Sequence, residues 1–307
     1  MATLSEPEIF VGRDYGAHAL TITPELVQHY AEATGDRNPW YFDPSTSLRT
    51  GPSPFGGPVA PALILHSEVY RYGGWYLKNI FGNLHAKQEW ELFHPIMVGD
   101  QVTTRSLISD RYAKRGREYV VNEVTCFGPD GRLLMRGRTH QSFLMDESAE
   151  GTAVDKEPVL SLPKEREKTP ARRFEIGTGP FIEELPALSK TVTVEMSQKF
   201  SGPSKNYHTD REEARKLGFP DIVVQGMLSV CFLSELLTTR FGEGWYCGGR
   251  IAVNLVNVLC PDEPLACRAA VRELTPEGAR QRAHLEVWCE KDDGTKTVVG
   301  TASAVVL

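Results

Sequence analysis

What most constrains this 307-residue chain is that its sequence is written twice. Three landmarks recur in one order at nearly one offset. The stretch "WYFD" ends on Asp43, and "YHTD" ends on Asp210, 167 residues later. "HPIMVGD" ends on Asp100 as "VNVLCPD" ends on Asp262, 162 residues on. The turns Pro129-Asp130-Gly131 and Asp292-Asp293-Gly294 stand 163 residues apart. A repeat of that length is about one domain, not the short unit of a solenoid. The chain must therefore fold as two copies of one unit.

Each copy has the same expected order of elements. A polar loop leads into an apolar helix, then into segments rich in Val, Ile, Thr and aromatics with Asp-Gly turns between them. Those segments read as antiparallel strands and hairpins. In the second copy the helix is "MLSVCFLSELLTTRF", Met227 to Phe241, between Gly226 and Gly242. In the first it is "PALILHSEVYRYGGWYL", interrupted by Gly73 and Gly74. The expectation is α+β: in each half one long helix on a curved antiparallel sheet, with helices starting near Ala62 and Gly226. The halves would share a continued sheet or pack as a pseudo-dimer. The expected division is 1–145, a linker over 146–185, and 186–307. The linker is rich in charge, Pro and Gly, so little core of its own is expected there, or else a docking segment for a partner.

Composition excludes several classes. Hydrophobic residues make up 41% and charged residues 24%, as in a globular domain. The net charge of -6 offers no basic stripe for nucleic acid. No stretch reaches the roughly 18 apolar residues of a membrane span. The opening "MATLSEPEIFVGRDYG" lacks a basic region followed by an apolar run, so the cytoplasm is the expected compartment. Cys126, Cys231, Cys247, Cys260, Cys267 and Cys289 form no CxxC pair or zinc spacing, and read as reduced structural thiols. Neither GxGxxG, GxxxxGK[ST] nor GxSxG occurs, so no nucleotide loop or nucleophile elbow is expected. No metal or redox cofactor is implied. Trp75, Trp90, Trp245 and Trp288 read as core.

The informative loop is "SGPSKNYHTDREEARKLGFPDIVVQG", Ser201 to Gly226, with its first-half counterpart "TGDRNPWYFD". Together they resemble the MaoC-like hydratase/dehydratase family. Its signature reads S/T-G-D-x-N-P-x-H-x-D, then Ala, Gly-Phe and I-x-H-G before the central helix. Tandem fusion of two such units resembles the double-hotdog architecture of the hydratase 2 type. In the second half, Ser201, Gly202, His208, Asp210, Ala214, Gly218, Phe219, Ile222 and Gly226 match. Pro203 stands where the family has its dyad aspartate, Lys205 where it has asparagine, Asn206 where it has proline, and Gln225 where it has histidine. The first half departs in the opposite sense. It keeps Thr34, Gly35, Asp36, Asn38, Pro39 and Asp43, but Tyr41 replaces the histidine. One half retains the acid and the other the histidine, and the two need not meet.

The resemblance implies water addition to, or elimination from, a 2-enoyl or 3-hydroxyacyl thioester, with CoA or a carrier protein as part of the substrate. His208 is the expected acid/base, since imidazole titrates near neutrality. The Gly226 amide, at a helix N-terminus, is the expected donor to the thioester oxygen. Asn206 and Gln225 are expected to orient His208 or the substrate. Ser204, Lys205 and Tyr207 are candidate substrate contacts. Asp36, Asn38 and Tyr41 read as remnants of a second half-site. Asp210, with Glu213 three residues on, reads as a capping-box-like N-cap, and Asp43 as its counterpart. The other readings are a non-catalytic acyl-binding partner subunit, and a cyclase or isomerase of a specialised pathway. A homo-oligomer is compatible with either.

Overall fold

The structure, a computed structural model, describes residues 9–42, 53–71, 84–144 and 174–307. Asp43, Gly73, Gly74, Trp75 and most of the expected linker lie outside the described residues. The first half comprises β1 (Asp14–Thr21), α1 (Pro24–Thr34), α2 (Glu68–Arg71), β2 (Leu84–Leu92), β3 (Gln101–Lys114), β4 (Arg117–Phe127) and β5 (Leu133–Leu144). The second comprises β6 (Glu183–Glu184), β7 (Leu188–Thr191), α3 (Val194–Ser201), α4 (Arg211–Lys216), α5 (Gly226–Phe241), α6 (Glu243–Tyr246), β8 (Arg250–Leu255), β9 (Pro264–Glu277), β10 (Arg280–Lys291) and β11 (Lys296–Val306).

Strand order repeats with the sequence. The first half runs β1-β3-β4-β5-β2, and the second runs β7-β9-β10-β11-β8, with β6 also on β9. Every pairing is antiparallel, and β2 pairs with β8, Lys87 opposite Asn254 and Trp90 opposite Ile251. The two half-sheets are thereby one sheet of eleven strands among the described residues. The two Asp-Gly turns are built alike. Gly131 and Gly294 have positive φ, 78° and 80°, which a residue with a Cβ adopts only with strain. Asp130 accepts from the Arg132 amide at 3.1 Å, and Asp293 from the Thr295 amide at 2.9 Å. The helices ahead of the site loops also repeat. Thr23 caps α1 by accepting from the Leu26 amide, and Thr193 caps α3 through the Met196 amide.

The second half's helix follows its sequence. It starts at Gly226, ends at the Gly242 cap, and buries twelve side chains between Met227 and Phe241. A helix apolar on every side needs cover on every side. β9, β10 and β11 supply one face, and α1 packs on another. Trp245 closes the C-terminal end, donating from its indole to Ser234 at 3.0 Å.

Two expectations fail. The first half has no helix beginning at Ala62. Pro61 to Ser67 form successive turns, with Ile64 donating to Pro61 and His66 to Leu63, each at 2.9 Å, and α2 begins only at Glu68. Ala62, Leu63, Ile64 and Leu65 are all buried. An apolar run buried on consecutive residues carries no helical period, so its pattern did not distinguish turns from helix. The last part of the expected linker also packs. Phe174, Ile176 and Phe181 lie against Ala270, Trp288 and Val299, while Glu183 and Glu184 form β6. Trp90, Trp245 and Trp288 are buried. Among the described residues, no helix is long and apolar enough to cross a membrane.

Glycine at the β8–β11 contact is a packing requirement. A Cβ on Gly300 would lie 2.1 Å from the Ala252 carbonyl oxygen and 2.7 Å from the Val253 Cα. Neither backbone atom can swing aside as a side-chain tip would. Gly300→Ala is expected to lower stability by roughly 1–3 kcal/mol, as overpacking does. The midpoint of urea unfolding measures this, with Gly131→Ala as a control whose cost is conformational, since nothing lies near that position.

Candidate functional site

His208 sits in the loop between α3 and α4, which folds back on the segment leading to α5. Asp210 ends the loop as the N-cap of α4, accepting from the Glu212 and Glu213 amides at 2.9 and 3.0 Å. The reciprocal half of a capping box is absent. The Asp210 amide donates to the Asn206 carbonyl, and Glu213 pairs with Lys216. Asn206 is the loop's internal brace. Its Oδ1 accepts from the His208 amide at 2.8 Å, and its Nδ2 donates to the Ser204 carbonyl at 3.0 Å. Thr209 closes the same turn by donating to the Ser204 carbonyl at 2.9 Å. The Ser197 hydroxyl of α3 donates to the His208 carbonyl at 2.8 Å. The loop is tied to the next segment by the Val223 amide donating to Tyr207 at 3.1 Å.

The imidazole itself has a backbone partner. His208 Nδ1 lies 2.6 Å from the Val223 carbonyl oxygen. A carbonyl has no proton to give, so Nδ1 carries the hydrogen and Nε2 holds the free lone pair. Burial lowers the pKa of His208, and the Val223 bond opposes that only in part. The ring is therefore neutral at pH 7 with its basic nitrogen free. The pattern that this loop resembles has an aspartate where this chain has Pro203. Here the ring's partner is the Val223 carbonyl, and the side chain of Val223 is irrelevant to that bond. No residue-type signal in the sequence marks that partner.

The other expected site residues are placed as follows. Gly226 begins α5 behind Gln225, which makes no side-chain cap, so the first-turn amides receive no side-chain acceptor from it. A Cβ on Gly226 would lie 2.6 Å from Leu255 Cδ1, so a larger residue there would have to displace that side chain of β8. Gln225 Oε1 accepts from Ser201 at 3.5 Å and has no bond to His208. Asn206 holds the backbone of His208, not its ring. Tyr207 packs on His208, ring centroids 3.9 Å apart, and stacks on Phe219, so its ring is used in packing. Ser204 serves the loop turn through its carbonyl. Lys205 is exposed and shared among Asp210, Glu212 and Glu213. Those three acids neutralise it, and it faces no open anion position.

The first-half loop is not an empty remnant. The Tyr41 hydroxyl donates to Asp36 Oδ2 at 2.6 Å, and the Asn38 amide donates to Asp36 Oδ1 at 3.0 Å. Asn38 in turn accepts from the Trp40 amide. Asp36 is 6% exposed and Tyr41 3%. The second half supplies the surrounding charges. Lys190 of β7 makes an ion pair with Glu235 of α5 at 2.7 Å and donates to the Thr34 and Gly35 carbonyls at 3.2 and 3.3 Å. Burial and then the Asp36 charge push Glu235 up to about 7, against the pull of Lys190. Burial also raises Asp36, opposed by Tyr41, the Asn38 amide and Lys190. Asp36 and His208 are thus held by separate partners. Lys190 and Glu235 escaped the sequence reading because neither lies in the repeated motif; only a charged residue inside an otherwise apolar helix hinted at Glu235. Among the described residues, no group of three or more His, Cys, Asp or Glu could hold a metal ion.

Comparison with known proteins bears on the fold. A family model for the FAS1-like, dehydratase domain region matches residues 9–136. A UPF0336 protein of Saccharopolyspora erythraea is 26% identical over 156 residues, covering 48% of this chain and 94% of that protein. A MaoC-like dehydratase of Phytophthora capsici superposes with a TM-score of 0.69 at 15% identity, covering 100% of this chain and 98% of the other. A Mycobacterium tuberculosis protein described as having a double hotdog fold gives 0.55 at 12% identity, covering 99% and 96%. The fold is α+β and resembles that of hotdog proteins of the hydratase/dehydratase type.

The buried charge cluster predicts a pH-dependent stability. Lys190→Met leaves Glu235 and Asp36 without their cation. At pH 8 this is expected to cost roughly 3–5 kcal/mol, the scale for stranding a buried charge. Glu235 has a folded pKa above its ordinary value, so the folded state binds the extra proton as pH falls through 7. At pH 5 the carboxyl is neutral with or without the lysine, and the deficit is expected to shrink. Thermal unfolding of both proteins at the two pH values checks the sign.

Proposed function

We propose that the chain is a hydro-lyase that adds water to a 2-enoyl thioester or removes it from the 3-hydroxyacyl form, with His208 as its acid/base. The observation that carries this reading is the 2.6 Å contact of His208 Nδ1 with the Val223 carbonyl, which leaves Nε2 as a free base in a buried, neutral imidazole. The likeness of the fold to MaoC-like dehydratases supports the substrate class.

In the hydration direction, Nε2 takes a proton from water as the water oxygen bonds to the β-carbon. The double-bond electrons shift to the thioester oxygen, giving an enolate. The amide of Gly226, which opens α5 without a side-chain cap, is the donor for that oxygen, favoured by the helix dipole. The imidazolium then returns its proton to the α-carbon, and the enolate collapses to the thioester carbonyl. One histidine thus moves one proton out and back, and the balance closes as H and OH added across the double bond. A carbonyl partner orients the ring but does not offset the cation as a carboxylate would. The imidazolium is accordingly costly, in keeping with the lowered pKa of His208. Asn206, Ser197 and Thr209 hold the loop that presents the ring. The Asp36–Tyr41 pair stands outside the reaction, because both groups are buried with their bonding capacity directed at each other and at their own loop.

Hydration of a 2-enoyl-CoA, followed by loss of enoyl absorbance, tests the assignment. His208→Ala is expected to lower turnover by ~10²–10⁴ with the fold intact. Tyr41→Phe is expected to leave turnover little changed. The kcat/KM for hydration should fall on the acid side with a pKa below the ordinary 6.5, because the lowered pKa keeps Nε2 free to lower pH. An intact rate in His208→Ala, or loss in Tyr41→Phe, would place the chemistry in the other half.

A further inference from the structure

One pair of thiols has no part in the site described above. Cys267 of β9 and Cys289 of β10 lie directly opposite each other across the ladder. Their sulfur atoms are 3.5 Å apart, in contact. Both residues are fully buried, within the cluster around α5. The Cys289 sulfur also lies 3.9 Å from the Ser229 carbonyl oxygen, near the start of that helix.

The repeat supplies an internal comparison. Cys126 lies between Thr104 and Met135, as Cys289 lies between Cys267 and Val298. The first half thus sets a threonine opposite its cysteine, and the Thr104 hydroxyl donates to Glu68 at 3.0 Å. The same ladder position is filled there by one thiol and one hydroxyl. Two thiols in contact are particular to the second half.

Backbone geometry favours a bond between them. Directly opposed residues on antiparallel strands have Cα atoms roughly 4.5–5.5 Å apart. A disulfide accepts Cα separations of roughly 4.4–6.8 Å, so the strands need not move. The sulfurs need to close by about 1.5 Å, which side-chain rotation supplies. Position provides access. Cys267 and Cys289 form the third pair from the open end of the β9–β10 hairpin, and the β10–β11 register shifts immediately after Cys289. Strand ends open more readily than strand centres, and a water-sized oxidant needs only a small opening.

We propose that this pair is an oxidisable dithiol that closes to a cross-strand disulfide, with a hydroperoxide as the class of oxidant. One thiol loses its proton to water, and the thiolate attacks a peroxide oxygen. The O–O bond breaks, the sulfur becomes a sulfenic acid, and the departing hydroxide takes up a proton. The second thiol attacks the sulfenic sulfur. The S–O bond breaks, and the hydroxyl leaves with the thiol proton as water. Two thiols have then lost two electrons, and one hydrogen peroxide has become two waters. The link joins positions 22 residues apart, and closing that loop restricts the unfolded chain. Oxidation therefore staples β9 to β10 beneath α5.

The test starts from the reduced full chain, treats it with hydrogen peroxide, alkylates the remaining thiols in denaturant and maps the digest by mass spectrometry. A peptide pair linked through Cys267 and Cys289 is expected after peroxide and is expected to disappear on dithiothreitol. The melting temperature is expected to rise by roughly 5–10 °C on oxidation and to return on reduction. Cys267→Thr, which installs the residue of the first half, is expected to give neither the link nor the rise. Cys289→Ala provides the same comparison should that variant fold poorly. Recovery of Cys267 and Cys289 as alkylated thiols, or singly oxidised without a link, overturns the proposal. A linked protein that melts earlier than the reduced one also overturns it, because the strands would then have had to move to make the bond.

Discussion

The burial of α5 on every side sets the terms for the rest of the molecule. A helix with apolar residues around its whole circumference is only partly covered by a single sheet face. β9, β10 and β11 cover one side, and the first half must cover the remainder, which α1 begins to do. Apolar burial at roughly 25 cal/mol per Å² is the largest favourable contribution available, so docking of the first half adds to the stability of the second. The β2–β8 pairing extends that docking through backbone hydrogen bonds, and the Lys190 ammonium adds charged ones to the Thr34 and Gly35 carbonyls.

That arrangement also separates two chemically different places along one helix. Ahead of the N-terminus of α5, the neutral His208 ring is held by the Val223 carbonyl, and Gln225 gives the helix no side-chain cap. More than two turns on, Glu235 projects toward Lys190 and the Asp36–Tyr41 pair. At the first place burial keeps the imidazole neutral, with its Nδ1 hydrogen on the Val223 carbonyl. The second is a closed set of charges and hydroxyls satisfying one another in low dielectric, where each partner is costly to remove. The two loops share one pattern and differ in their partners. Tyr41 engages the acid of the first loop, Asp36, while the histidine of the second, behind Pro203, has a backbone acceptor.

Divergence reaches the sheet as well. Equivalent strands carry Cys267, Ala269 and Leu285 under α5, but Thr104, Ser106 and Asn122 in the first half. Backbone geometry is tolerant of that exchange, because antiparallel ladders form through main-chain groups whatever the side chain. The face therefore changed its chemistry while the strand order stayed the same.

The repeat, the α+β class and the place of α5 were legible in the sequence, since they rest on local spacing: turns at Asp130-Gly131 and Asp293-Gly294, alternation along strands, and an apolar run ending at Gly242. Asp210 was legible as a helix N-cap because an acid at the start of a polar, helix-forming run is a local signal. Ala62 was misread as a helix start, because continuous burial hides the helical period. What only the tertiary structure decided were contacts between distant segments. Val223 meets His208 across fifteen residues, through a carbonyl that every residue possesses. Lys190 reaches the Gly35 carbonyl across 155 residues, and Tyr41 finds in Asp36 a partner that its own letter does not announce. Such pairings depend on how two half-sheets dock, and docking is fixed by the summed burial of many side chains, which no short stretch of sequence records.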